Sequence, residues 1–410
     1  MKKSFLALAV AALAATSIAS TASATTVYDK DGTSMAIYGR VQSVYYSEQQ
    51  SGVSNDEGSF NSSARLGVDV RTPLTSGIAA FAKAEWEAAN GNNKNDEDDG
   101  FDARYLWVGL DFGQFGQVKV GKFEEAIKYA IGPTDHWEDA GCTGLAGNDD
   151  RREGVVQYQW SGYGVDAFLS YAFAKDNEHL DGAYFVPNRD EARETVDIDY
   201  SVSAALGYTS PDVLFGPIGI RAGFLYGKFA DGDSNIFGSN GAPGNNVYYA
   251  EPDQNGNTEY TVYDDYTQYA VSAFWGSLAQ GPYVAAVYQQ REFAGNVIYA
   301  DRSSVPNVTS PDYTVKGYEF TCAYTFANGL RLATGYEVQE LDYDDDSADV
   351  KAATVPVLAL WRVNPNFDVW AEARFDAGTD DDENGGKNFD ADVGTTYAED
   401  FFALGIRYNF

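Results

Sequence analysis

The chain has 410 residues, a formal net charge of −33 and 15% aromatic residues. So acidic a chain lacks the basic face that phosphate backbones require, which excludes nucleic acid as a partner. Its aromatic content also separates it from disordered acidic chains, which are poor in Tyr, Phe and Trp.

The first residues read as a leader. Lys2 and Lys3 give a positive start, Phe5 to Ile18 is an apolar, Ala-rich run, and Ala22-Ser23-Ala24 offers small residues for cleavage. This is the three-part layout of a secretory signal, with a core too short to span a bilayer as a helix. Residues 1–24 are expected to be a signal peptide and residues 25–410 one folded domain. Loss of Lys2 and Lys3 makes the mature chain more acidic still. No later run of eighteen apolar residues occurs, so no spanning helix is expected. What remains is a soluble exported protein or a closed barrel.

Beyond the leader, period-2 alternation recurs to the end of the chain. In one segment Ile78, Ala80, Ala82, Ala84, Trp86 and Ala88 share a face against Phe81, Lys83, Glu85 and Glu87. Further on, Phe367, Val369, Ala371, Ala373 and Phe375 oppose Asp368, Trp370, Glu372, Arg374 and Asp376. The last segment sets Phe402, Leu404, Ile406, Tyr408 and Phe410 against Ala403, Gly405, Arg407 and Asn409. Each run is about the ten residues that a tilted strand needs to cross a bilayer.

Short turns fall at 73–77, 112–116, 161–163, 210–217, 276–281, 326–329 and 364–366. Long polar loops fall near 48–60, 90–101, 124–152, 175–197, 230–264, 294–313, 342–351 and 378–397. Seven short and eight long connections predict sixteen antiparallel strands. Strict alternation of short and long connections is the layout of an all-β transmembrane β-barrel, with periplasmic turns and extracellular loops. A charge facing lipid at the midplane costs ~2–4 kcal/mol, and here the charges keep to one strand face. Tyr45, Tyr46, Trp86, Trp160, Trp275 and Trp361 lie near strand ends and suit interfacial girdles. One segment departs from the rule. In Ala103 to Asp111, Arg104 shares parity with Leu106, Val108 and Leu110. A partly apolar inner wall or a subunit interface over the outer face would explain it.

Several short sequences carry a resemblance. Val27-Tyr28-Asp29-Lys30-Asp31-Gly32 leads into Ile37-Tyr38-Gly39-Arg40, and Ala64-Arg65-Leu66-Gly67 follows. Arg104 with Val108-Gly109-Leu110, Gly113-Gln114-Phe115-Gly116 and Val120-Gly121-Lys122 continue the series, and the chain ends Gly405-Ile406-Arg407-Tyr408-Asn409-Phe410. In order and spacing, over residues 25–160 and the last strand, these resemble the Gram-negative general porins, trimeric sixteen-stranded barrels of the outer membrane.

The resemblance implies a homotrimer in contact with lipid and lipopolysaccharide, and a terminal Phe410 read by the barrel assembly machinery. It also implies a third loop folded into the barrel, with acidic residues facing a basic wall. Carried over by position, the acidic side is Asp135 and Asp139, and the basic wall is Arg40, Arg65, Arg104 and Arg151. The loop tip departs from the family, so Glu138 is expected to replace or join Asp139. Arg151 and Arg152 are adjacent and only one can face inward on a regular strand. Spacing to Tyr158 favours Arg151.

The expected function is general passive diffusion of ions and small hydrophilic solutes, selected by size and charge. Acidic loop mouths favour cations, while the arginine wall argues the other way locally. A mild cation preference is expected. A substrate-specific channel is the alternative, with Trp370 as one candidate of an aromatic ladder. An adhesive or structural barrel is another. Catalysis is not expected: His136 beside Cys142 is the one conceivable nucleophilic pair, and no orienting motif accompanies it. No cofactor motif is present, and two His with two distant Cys make a poor zinc set. Cys142 and Cys322 alone define no disulfide framework. The runs 342–346 and 380–384 are acidic enough to hold Ca²⁺ or Mg²⁺, but a solvated rim is the simpler reading.

Overall fold

The computed structural model describes residues 24–47, 58–90, 101–148, 150–178, 180–183, 196–230, 249–252, 258–299, 312–343, 349–382, 387–389 and 397–410. Residues 1–23 of the expected signal peptide, His179, and residues 344–346 and 383–384 of the two acidic runs lie outside them. Sixteen antiparallel strands form the barrel. They are β1 (Thr33–Tyr46), β2 (Ser59–Thr75), β3 (Ile78–Asn90), β4 (Phe101–Asp111), β5 (Gln117–Glu124), β6 (Arg151–Gly162), β7 (Val165–Ala172) and β8 (Val196–Val213). There follow β9 (Gly216–Phe229), β10 (Thr258–Gly276), β11 (Gly281–Tyr299), β12 (Tyr313–Thr325), β13 (Leu330–Tyr343), β14 (Val350–Asn364), β15 (Phe367–Asp376) and β16 (Phe401–Asn409).

Each strand pairs with its neighbours in sequence, and β16 pairs with β1 from Arg40↔Asn409 to Tyr46↔Ala403. Closure removes the unpaired edges that lipid cannot satisfy. Thr25–Lys30 lies along Thr33–Ile37, so it completes the length of β1 that β16 leaves open. Asp31 and Gly32, at φ 54° and 81°, turn that hairpin in two residues, the geometry for which Asp-Gly is suited. All seven expected short turns separate the strand pairs as read from sequence. Two strands climb higher than expected, since β10 begins at Thr258 and β11 runs to Tyr299.

Alternation sorts the side chains as the hydrocarbon requires. Leu66, Val120, Leu169, Ile220, Val271, Phe320, Leu404 and Ile406 face outward, exposed in the isolated chain. Trp160, Trp275 and Trp361 each donate an indole N–H to a carbonyl at a short turn: Gln114, Val213 and Asn328. Their polar edges thus sit at one rim of the apolar band, as interfacial tryptophans do. Near the long-loop ends Trp86 stacks on Phe101, and Tyr45 meets Phe60 edge to face. Tyr46 does not belong to the girdle. It is buried inside the barrel, where its hydroxyl donates to Asp139 at 2.7 Å.

The irregular parity of β4 has a local cause. Glu85 pairs with Tyr105 and Trp86 with Ala103, which leaves Arg104 as an extra residue in a bulge. A bulge lets two successive residues lean to one side and resets the alternation beyond it. Arg104 and Tyr105 therefore both reach inward, while Leu106, Val108 and Leu110 face out. A subunit interface is not needed to account for the pattern.

The lumen is partly filled. Ile127, Ala130, Ile131, Leu145 and Ala146 of the third loop pack with Leu180 of the fourth against Val196, Ile198, Leu225 and Val315 of the wall. Burying each such Ile or Leu contributes ~1.5–3 kcal/mol, enough to hold both loops inside without a continuous strand. The eighth loop adds Phe389 and Tyr397 against Leu341, Val350 and Ala352. Cys142 and Cys322 are both free. Cys142 lies in the third loop, and Cys322 alternates with the inward Thr321 and Ala323 on the outer face of β12.

Candidate pore constriction

The third loop leaves β5 at Glu125 and makes one helical turn, α1 (Lys128–Ile131), against β8–β10. Wall hydroxyls meet its backbone. Ala126 and Ile127 N–H donate to Ser170 and Ser203, and Ser272 donates to the Ala130 carbonyl. Wall carboxylates then receive the rest of the loop. Glu372 accepts the N–H of Glu138, Asp139 and Ala140 at 3.1, 2.5 and 3.1 Å. Glu337 accepts Thr143 N–H at 2.9 Å, and Glu319 accepts Gly144 N–H at 3.0 Å and the Thr134 hydroxyl. Each bond gives a loop amide that has left water a carboxyl oxygen as acceptor. Gly317 permits the close approach: a Cβ there would stand 1.7 Å from the Gly144 carbonyl oxygen.

The three expected acidic residues have different surroundings. Asp135 pairs with Lys128 at 2.8 Å, within the loop. Asp139 is tied to the wall by Tyr46 and by the Trp370 indole N–H at 2.9 Å. Burial pushes its carboxyl above the usual range, with those two donors opposing. Glu138 turns the other way and binds both terminal nitrogens of Arg407. Trp370 itself is 2% exposed under the Arg407 guanidinium, whose carbon is 4.7 Å from the ring centroid. It is a tether for the loop and not an open stacking surface.

Three of the four expected arginines come together. Arg40 and Arg65 are cross-strand partners, and Arg104 arrives from the bulge. All three share Glu87: Arg40 at 3.6 Å, Arg65 at 2.6 Å and Arg104 at 2.7 Å. Arg104 also binds Glu85 at 3.1 Å. The wall is therefore a mixed array of three cations on two carboxylates. Parity alone supplies Glu85 and Glu87 on the inner face, but not their partners. Arg151 stands apart on Glu124 at 3.0 Å, with the Tyr105 ring 5.4 Å away. Arg152 is also turned to an internal carboxylate. It is 1% exposed and bound to Glu125 and Ser201. Strand alternation does not apply to this pair, because the β5–β6 register shifts between Gly121 and Phe123 and Gly154 takes φ +70°.

His136 and Cys142 do not meet as a nucleophile and its base. The His136 ring bonds Thr321 at 2.8 Å, and the Cys142 thiol points at Asp135. Burial, reinforced by Arg331, lowers the imidazole pKa to about 4. Burial and the neighbouring Asp135 push the thiol up. Neither shift favours a thiolate beside an imidazolium. Among the described residues no group of three or more His, Cys, Asp or Glu is placed to hold a metal.

The family profile described as Gram-negative porin matches residues 7–410. This chain belongs to the Gram-negative porin family. As a porin it resides in the outer membrane. Porin-like protein L of Photobacterium profundum is 25% identical over 423 residues, covering 100% of both chains. The solved structure of Salmonella typhi OmpF in complex with daunomycin has 17% identity, covers 94% of this chain and 100% of its own, and superposes with TM-score 0.65. The trimer form of Vibrio cholerae OmpT has 15% identity, covers 92% and 99%, and superposes with TM-score 0.59. Both structures share the fold of this porin. Family and fold are those of channel proteins.

Proposed function

We infer that this porin is a general diffusion channel, in which the third loop narrows a water-filled lumen beside the arginine wall. The observation that carries the reading is the two-sided tethering of that loop. Ser170, Ser203 and Ser272 hold its first turn along β7 to β10, and Glu319, Glu337, Glu372 and Arg407 hold its tip along β12 to β16, beside Arg40. Opposed charges across a narrow opening order water and admit small polar solutes ahead of apolar ones. In this reading Arg40, Arg65, Arg104 and Arg151 form the basic side, and Asp135, Glu138 and Asp139 the acidic side. No bond is made or broken.

Assembly as a homotrimer is supported by the trimeric form of the OmpT neighbour. The outward apolar band suits lipid, with lipopolysaccharide at the long-loop rim. Phe410 closes the last strand through two backbone bonds with Gly39 and offers its ring and terminus to the assembly machinery. Burial of Trp370 removes the one candidate for a sugar-guiding aromatic ladder. Residues 1–24 are proposed as the cleaved leader.

Liposome swelling with neutral sugars of increasing size tests the reading. Permeation should fall smoothly with size and should not saturate. One sugar passing far ahead of others of its size, with saturation, would replace general diffusion by a substrate-specific channel.

A further inference from the structure

The basic wall does not end at the arginines already described. On the short-turn side of the third loop, Arg221 of β9, Arg331 of β13 and Arg362 of β14 also face inward. Register fixes this: Arg221 pairs with the buried Ser272, Arg331 with the buried Thr325 and Leu360, and Arg362 with the buried Asp368. Arg221 and Arg331 both lie within electrostatic reach of Tyr283 on the intervening β11. Arg331 feels Arg362, Arg407 feels Asp368, and Arg407 in turn faces Arg40. The cations thus follow one another around the lumen from β9 to β1.

Their hydrogen-bond partners leave charge uncompensated at Arg221 and only partly offset at Arg331 and Arg362, which share Asp368, with Glu138 also in reach of Arg331. Arg331 donates to the Leu278 carbonyl and to Thr325. Arg221 donates to the Tyr129 carbonyl at 3.0 Å and lies over the Tyr129 and Phe274 rings at 4.2 and 5.1 Å. Neither has a carboxylate within ion-pair distance among the described residues. Arg362 uses one nitrogen on Asp368 and keeps its side chain 46% exposed. Nearby carboxylates are engaged elsewhere: Glu138 by Arg407, Asp139 by Tyr46 and Trp370, and Asp166 by Tyr129 and Ser161. Carbonyls and aromatic faces hold a guanidinium in place without cancelling its field.

We propose that Arg221, Arg331 and Arg362 form an anion-attracting track in the periplasmic vestibule, giving this acidic porin an inner site for compact multivalent anions bearing phosphate or carboxylate groups. The exposed fork of Arg362 supplies donors spaced for such oxygens. The strand ends that lead into the long connections lie at the opposite mouth, so the site is approached from the short-turn side. This rests on the diffusion-channel reading, since the track acts on what passes through the lumen. It also replaces the mild cation preference expected from net charge with a pore whose two ends favour opposite signs.

The test is planar-bilayer recording of the purified full-length porin in KCl, with inorganic tripolyphosphate added to one side at a time. Wild type should be blocked reversibly, and more strongly from the short-turn side. The variant R221Q/R331Q/R362Q should lose block by roughly threefold per charge removed, and its reversal potential should move toward cations. The R331K/R362K variant keeps the charges and should keep most of the block, which separates lost charge from damaged folding. Equal block from both sides, or an unchanged block in the glutamine variant, would overturn the track while leaving the channel intact. Absence of any wild-type current would instead remove the channel reading on which the track depends.

Discussion

The Glu372→Ala substitution should free the tip of the third loop. Its carboxylate accepts three successive loop N–H groups and has no counterpart in the loop that could take over. Leaving a buried donor without its acceptor costs ~1–3 kcal/mol, and three donors on one group are not additive, so roughly 3 kcal/mol of docking is a fair figure. That raises excursions of the loop tip about 100-fold. Glu337, Glu319 and the apolar packing of Ile127, Ala130 and Ile131 still hold the rest, so the barrel should fold and melt almost as wild type. Single-channel recording should show added flicker and sublevels, and sugars near the size limit should enter liposomes faster. Glu372→Gln keeps one of the two acceptor oxygens and should fall between. A quiet trace with wild-type conductance in Glu372→Ala would refute the tethering argument.

Other outcomes follow from single contacts. Glu87→Gln removes the carboxylate shared by Arg40, Arg65 and Arg104, so anion permeability from reversal potentials should rise about threefold. Leu106→Arg puts a charge on the lipid face that the β4 bulge defines, and should cost ~2–4 kcal/mol in folding into vesicles, whereas an inward Leu106 would cost little. His136 has a folded pKa of about 4 against an ordinary 6.5, so the unfolded chain binds the extra proton between them. Its contribution to stability is complete above pH 6.5 and is lost as pH falls toward 4. Melting in detergent should therefore drop less on acidification for His136→Gln than for wild type.

Much of this architecture is legible in the chain because a barrel writes it in period 2. Gly and Pro clusters at the short turns, and charges confined to one face, carry strand number and orientation. The inserted Arg104 leaves no such mark: a bulge and a regular strand have the same composition, and pairing with β3 decides between them. Tyr46 reads as an interfacial ring until Asp139 is known to lie within its reach. Arg151 and Arg152 look mutually exclusive only while β6 is taken as regular. Glu319, Glu337 and Glu372 are readable as inward residues, but their ligands are backbone amides, which every residue carries. The inward fold of the fourth loop depends on Leu180 joining the apolar cluster that holds Ala146 and Val315 and on Arg291 binding the Asp181 carbonyl. Such contacts between distant segments have no periodic signal. Arg407 was visible opposite the apolar face of the last strand, and only the fold shows it on Glu138.

Stepwise current from purified protein in a planar lipid bilayer is the most direct check on the whole account. Insertion should give discrete, long-lived openings that carry both ions of a simple salt, closing in threes if the assembly is a trimer. A polypeptide that remains monodisperse in water without detergent and never raises membrane conductance would contradict the claim that lipid covers its apolar face and water its charged one.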